Sequence, residues 1–239
     1  MVEKRTIRVV IVAIMAAFAA SIGGTALAAM ESKPSESEFS EEMEKPLGER
    51  KQLVPPANNV TVVTSQSGTA DRMAIMAFTP DGRLLYYNDT YHPYFDVDPV
   101  PGTSRTVEYV AAQQLNGTQC DSAPPNSGGT KCIRNVVERV NLSTGEVTRI
   151  YSEYSPSRHL PSGWHDVDRI GPSRLLVADI FKDRVFIVNT TTEIIEWEWQ
   201  ATSEYTLESG GYYPRDWTHV NDVELLSDGR IMVSPRNHD

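Results

Sequence analysis

The chain repeats itself, and that constrains its fold more than any other feature. His219 to Ser234, "HVNDVELLSDGRIMVS", aligns without gaps on Arg72 to Tyr87, "RMAIMAFTPDGRLLYY", and both carry an Asp-Gly-Arg turn. "RLLVADIFKD" at 174–183 aligns in the same way on "RIMVSPRNHD" at 230–239. From "VPPANN" onward, short Val/Ile/Tyr runs alternate with Gly, Asp, Pro and Asn, which is how an all-β chain of short antiparallel strands reads. The middle copy continues into "RVFIVNTTTEIIEWEWQ", two further strands joined by a polar turn. The first copy finds its outer pair in "NVVERVNLSTGEVTRIYSE", after an insertion holding both cysteines. Four strands in roughly 50 residues is the pattern of a β-propeller blade. The expected fold is therefore all-β, a propeller of four-stranded antiparallel blades over residues 57–239, with about two and a half blades present. The third copy stops after its second strand, where an unpaired apolar flank is unfavourable, so the reading is a C-terminally truncated copy of a longer ring.

Ahead of this region lie two segments of different character. Residues 1–29 read as a signal peptide or membrane anchor: Lys4, Arg5 and Arg8 precede an uncharged run from Val9 to Met30, with small residues at Ala26 and Ala28. A run of about 20 apolar residues also suffices to span a bilayer. Either way the body lies outside the cytoplasm, secreted or anchored to the outer face of the membrane, which only this segment touches. Residues 30–56 read as an acidic polar spacer whose short helices have nothing to pack on.

The two cysteines, Cys120 and Cys132, bracket "CDSAPPNSGGTKC", a loop able to close on itself as a disulfide in an oxidising compartment. Asn-x-Ser/Thr triplets begin at Asn59, Asn88, Asn116, Asn141 and Asn189; such triplets arise often by chance, and they are a mild sign of surface loops able to carry glycans. A formal net charge of -10 argues against nucleic acid as a partner.

The first strand of each propeller blade lines the central channel, so matching positions share one axial space. "GWHDVD" and "WTHVND" each place an aromatic ahead of a histidine, His165 or His219, and an aspartate three residues on, Asp168 or Asp222. This sets His165 against His219 and Asn221 against Val167, and puts a third, cationic group at Arg72. Arg236 replaces Ile180, and a guanidinium at an apolar position calls for a partner or an anion. An Arg fork suits a tetrahedral oxyanion such as sulfate or phosphate. His92 and His159 read as surface histidines, His238 as unassigned, and Tyr212, Tyr213 and Trp217 as packing between blades.

"HVN" followed by "VSPRNHD" and preceded by "PRDW" resembles the active-site blade of the bacterial and archaeal arylsulfotransferases that use no nucleotide sulfate donor. "GWHDVDRI" resembles that family's other His-bearing blade. The resemblance covers roughly residues 60–239, and the His-x-Asn…Ser-x-Arg spacing is its specific part. It implies an exported, six-bladed propeller that moves a sulfuryl group from an aryl sulfate to a phenol. His219 would be the nucleophile, passing through a sulfohistidine, and Arg236 would hold the sulfuryl oxygens. Asn221 would orient those oxygens or the imidazole, and His165 would serve as acid and base at the bridging oxygen. No cofactor is implied.

Two rival readings use the same residues. His165, Asp168, His219 and Asp222 are a donor set for a divalent cation in a propeller hydrolase or lyase, although Arg236 would repel the metal, and none is expected. A non-catalytic extracellular binding propeller is equally compatible with the export signal and the spacer.

Overall fold

The computed structural model describes residues 36–66, 73–121, 123, 131–155, 163–214 and 216–238. The leader, Arg72 and His159 lie outside the described residues. Strands dominate: thirteen strands and one α-helix are described, in antiparallel sheets, two of them four-stranded. The described residues fall into two compact units.

The first unit takes the described residues up to Val63 together with Met76–Tyr87. Its sheet has the order β1 (Thr61–Thr64), β2 (Ile75–Phe78), β3 (Leu84–Asn88), and helix α1 spans Glu36–Glu44. The spacer reading leaves this helix without a partner. Instead Phe39 stacks on Tyr87 with ring centroids 5.5 Å apart. Arg50 donates to the backbone oxygens of Leu84 and Met43 at 2.7 and 3.1 Å. One aromatic, one fork of donors and the buried Glu42, which accepts the Lys51 N–H at 2.8 Å, hold a helix whose other residues are polar apart from Met43.

The second unit takes Thr64–Ile75 and everything described from Asn88 onward. It holds the sheet β4 (Tyr94–Pro99), β5 (Thr106–Asn116), β6 (Lys131–Asn141), β7 (Val147–Ser155), in that spatial order. Next comes the sheet β8 (Trp164–Gly171), β9 (Arg174–Asp179), β10 (Arg184–Asn189), β11 (Ile194–Gln200). The pair β12 (Val220–Leu225) and β13 (Ile231–Pro235) follows. The sequence-based division into units is corrected here. The strands expected to complete the first copy are β6 and β7, and they pair with β4 and β5 in a separate sheet. The supposed insertion thus contains two strands of its own. The two Asp-Gly-Arg turns share their chemistry: both glycines have positive φ, and Arg83 and Arg230 bond back to Asp81 and Asp228. They differ in place, because β2 has β1 on its other side whereas β12 begins its sheet.

Apolar residues at alternate strand positions fill the layers between sheets. Phe95, Val110, Trp164, Val177 and Phe186 belong to one buried cluster, and Leu176, Ala178, Val185, Val220 and Val223 to the next. Tyr151 and Trp164 stack at 5.5 Å, 4° from parallel. Cys120 and Cys132 form a disulfide within their own small cluster, compatible with an oxidising, extracytoplasmic compartment. Among the described residues no helix is long and apolar enough to cross a membrane. The Asn141 and Asn189 side chains accept backbone N–H bonds two and three residues on, so these triplets build the turns after β6 and β10.

Buried charge joins the layers. Glu108 receives Arg139 from the neighbouring strand and Arg169 from β8. Arg184, 5% exposed, bonds Asp179, Glu198 and Glu153, and its guanidinium lies 4.3 Å from the Phe186 ring. Asp179 is fully buried, so Arg184 is what keeps its charge tolerable. Arg184→Ala is expected to destabilise the fold by about 3–5 kcal/mol in chemical denaturation, because it strands the Asp179 carboxylate. Adding Asp179→Leu to Arg184→Ala is expected to recover part of that loss.

Candidate functional site

Every residue of the site discussed here lies in the second unit. An irregularity repeated at the start of each first strand positions them. In β8 the register slips between Trp164 and Asp166, leaving His165 as an extra residue. In β12 it slips between Val220 and Asp222, leaving Asn221 as the extra residue. In β4 the slip falls between Tyr94 and Val97, around Phe95. A β-bulge of this kind turns a side chain away from the regular alternation, a use seen beside active sites. The bulges correct the sequence alignment. Asn221, not His219, occupies the place of His165, and the repeated motif is Asp-Val-acid: 96–98, 166–168 and 222–224. That triplet was the available signal, hidden because matching histidine to histidine shifts the copies by two residues. Arg236 does take the place of Ile180, since Val220 faces Pro235 as Trp164 faces Asp179.

The four expected residues come together. His165 Nδ1 lies 3.2 Å from Asn221 Oδ1. The His165 ring packs 4.5 Å from Phe95 and 5.0 Å from His219, the latter nearly perpendicular. Arg236 Nη2 lies 2.9 Å from His219 Nδ1. One expectation about Arg236 changes: its side chain is 53% exposed, so burial does not demand a partner, although Asp216 Oδ2 lies 3.7 Å away. His165 does not bond to Asp168, and Asp222 is matched in the fold by Asp166.

A strained loop sets His219. Asp216 and His219 have φ of 53° and 49°, the left-handed region that costs a residue with a side chain about 1–3 kcal/mol when held there. Surrounding bonds hold it. Thr218 donates its N–H and hydroxyl to Asp183 Oδ1 at 3.0 and 2.5 Å. Asn237 donates its N–H to Thr218 O at 3.1 Å and its side-chain amide to Asp216 O at 2.6 Å. Trp217 is buried, with its indole N–H on Ser209 O at 2.6 Å. Gly211 passes so close that a Cβ there would collide with Asp216 O and sit 2.6 Å from the Asn237 amide. From this loop the Asp216 carboxylate hydrogen-bonds His219 Nδ1, a partner absent from the sequence reading although it lies only three residues away.

Donor inventory assigns the protons. A guanidinium has only donors, so it cannot accept a hydrogen bond from an N–H on His219 Nδ1, whereas a carboxylate can. An N–H on Nδ1 directed to Asp216 is the charge-assisted choice and leaves the lone pair on Nε2. For His165, burial, the neighbouring His219 and Arg236 outweigh the Asn221 bond and bring its pKa down to about 4, so the ring is neutral at pH 7.

The same strands carry carboxylates. Asp166 Oδ2 accepts the Val223 N–H at 2.8 Å, and Asp96 Oδ2 lies 3.5 Å from the Val167 nitrogen, so each aspartate reaches the next sheet's first strand. Burial leads in raising both, Asp96 to about 7 with Asp98 as the next cause and Asp166 to about 9 with Asp96 as the next. Asp168 is raised to about 6, first by burial and then by Asp98. Among the described residues no group of three His, Cys, Asp or Glu is placed to hold a metal ion.

The remaining histidines differ from their sequence assignment. His92 precedes a cis proline and has a buried Nδ1, so it is not a simple surface residue. His238 packs 4.1 Å from Tyr205 and 5.3 Å from Trp217. Tyr212 and Tyr213 are exposed, and Trp217 is buried as packing requires.

Comparison with protein-family models finds no match, and no curated protein matches. Among solved structures the chain is similar to hydrazine synthase of Kuenenia stuttgartiensis, at 13% identity over 75% of this chain and 56% of that one, with a TM-score of 0.43. It is also similar to Sqt1 of Saccharomyces cerevisiae, at 10% identity over 60% of this chain and 36% of that one, with a TM-score of 0.31. The chain thus spans little more than half of the hydrazine synthase chain it matches.

The inter-sheet aspartates yield a pH prediction. A carboxyl whose pKa is raised on folding stabilises the fold fully below its unfolded value and loses that contribution as pH rises through the folded value. For Asp166 the window runs from near 3.8 to about 9. Asp166→Asn keeps an acceptor for the Val223 N–H and has no charge to suppress. Its melting temperature is expected to gain on the original protein by a few degrees between pH 5 and pH 9 in circular-dichroism melts. A gap independent of pH would contradict the assignment.

Proposed function

We propose that the chain is part of an extracytoplasmic β-propeller that transfers a sulfuryl group from an aryl sulfate to a phenol through His219. The propeller reading is supported by three successive first strands with a bulge at one register and by aspartates reaching from sheet to sheet. The observation that carries the chemistry is the convergence of His165, His219, Asn221 and Arg236 in a site with one guanidinium and two imidazoles.

The His219 Nε2 lone pair attacks sulfur, the sulfur–aryl oxygen bond breaks, and its electron pair leaves on the phenolate. Arg236 stabilises the charge spread over the three sulfuryl oxygens, as donors do for the related phosphoryl group. In the second half the acceptor phenol gives its proton to a base, its oxygen attacks sulfur, and the nitrogen–sulfur bond breaks to restore His219. His165 suits that base, because it is neutral at pH 7 and, with Nδ1–H on Asn221 Oδ1, keeps its lone pair on Nε2. It does not suit the acid role implied by the family resemblance, since a neutral ring with that tautomer has no Nε2 proton to give. Donors are therefore aryl sulfates whose phenolate leaves unprotonated, such as 4-nitrophenyl sulfate.

The test is transfer from 4-nitrophenyl sulfate to phenol, with the protein quenched in acid-free buffer for peptide mass spectrometry. The expected result is phenyl sulfate formation and a sulfo-adduct on the peptide containing His219. Arg236→Ala is expected to lower kcat/KM by about 10²–10³-fold, and His219→Ala to abolish transfer. Full activity in His219→Ala, or no turnover by the original protein, would overturn the reading.

A further inference from the structure

We propose that Asp216 is the positioning residue of His219: its carboxylate accepts a hydrogen bond from Nδ1–H and thereby fixes the imidazole as an Nε2 nucleophile. This rests on the sulfuryl-transfer reading for its purpose, though not for its geometry. The Asp216 Oδ1–His219 Nδ1 bond and the 3.7 Å approach of Asp216 Oδ2 to Arg236 place one carboxylate against both groups. One oxygen selects the tautomer while the other draws the guanidinium alongside. Without that carboxylate, Arg236 Nη2 at 2.9 Å would favour a lone pair on Nδ1, which puts the proton on Nε2 and removes the nucleophile.

The backbone supports the assignment. Asp216 and His219 are both held in the left-handed region, and strain of this kind persists only where the surroundings over-determine it. Here the bonds from Asn237, the Thr218–Asp183 pair and the close pass of Gly211 all act on residues 216–219, and none uses the Asp216 carboxylate. The loop is locked by other groups, and the carboxylate is left to His219 and Arg236. As sulfur bonds to Nε2, the ring gains positive charge, and a carboxylate on Nδ1–H stabilises it without itself being protonated, as the aspartate of a Ser-His-Asp triad does.

Asp216→Asn suits the test because Asn tolerates positive φ and the side chain is about half exposed, so the loop is retained. The readout is the ring-nitrogen NMR spectrum of ¹⁵N-histidine protein, which reports the His219 tautomer without turnover. The original protein is expected to show Nδ1–H, Asp216→Asn to lose that preference, and Asp216→Glu to recover part of it. In the transfer assay Asp216→Asn is expected to lower kcat by about 10²–10⁴-fold with little change in KM. An Nε2–H tautomer in the original protein, or a tautomer unchanged by Asp216→Asn, would overturn the role of Asp216 even if transfer is active. A protein that shows the expected tautomers yet transfers no sulfuryl group upholds the Asp216–His219 pair and overturns the functional reading alone.

Discussion

One extra residue at the start of a strand underlies the arrangement in the second unit. A regular first strand would alternate its side chains between the two inter-sheet layers, and His165 and Asn221 would point into the layer opposite that of Trp164 and Val220. The bulge releases them. The residues just before it, Tyr94, Trp164 and Val220, are fully buried, and the valines beyond it, Val97, Val167 and Val223, are buried too. Core packing thus brackets each bulge on both sides, which leaves the released side chain one direction to take. Because the three sheets are joined by Asp96 and Asp166 reaching Val167 and Val223, bulges in neighbouring sheets fall beside one another. The 3.2 Å contact between His165 and Asn221 is a consequence of that spacing.

Electrostatics divides the same strands into two regions. Beyond the bulges lie Asp96, Asp98, Asp166 and Asp168, all raised by burial as the leading cause. Keeping protons on such groups limits the repulsion that six crowded acids on three strands would otherwise produce. At the bulges the groups are neutral or cationic. His165 is held neutral by burial and by its neighbours His219 and Arg236, and Arg236 carries the charge at the exposed rim. An anion is favoured there by Arg236 and by hydrogen-bond donors, while Asp216 is occupied by His219 and Arg236.

Much of this was legible in the residues, for identifiable reasons. Val/Ile alternation and the Asp-Gly-Arg turns announce antiparallel strands because their physics is local. His219, Asn221 and Arg236 stand out because polar groups replace apolar ones in a repeat. The missing parts are non-local. β4 and β5 read as an insertion because "YFDVDP" mixes acids and proline into a strand, and "VEYVAAQQLN" is stabilised by pairing with β6 along its whole length. The true alignment of the first strands could not be seen by matching histidines, because His219 lies two residues ahead of the position that matches His165. Asp216 escaped notice since an i−3 carboxylate meets an imidazole outside a helix only when the backbone turns through positive φ, which Asp216 and His219 do. Helix α1 finds its partners through Phe39 and the Arg50 bond to Met43 O, too small a signal in a stretch of Glu and Ser.

The central claim is that the imidazole of His219 and the guanidinium of Arg236 share an oxyanion. A crystal structure of the protein grown with tungstate, an electron-rich tetrahedral stand-in for sulfate, addresses it directly. The account requires anomalous density against His219 Nε2, with a tungstate oxygen within hydrogen-bond reach of the Arg236 guanidinium. Tungstate bound elsewhere with that space filled by water, or side chains of 219 and 236 turned apart, would contradict it.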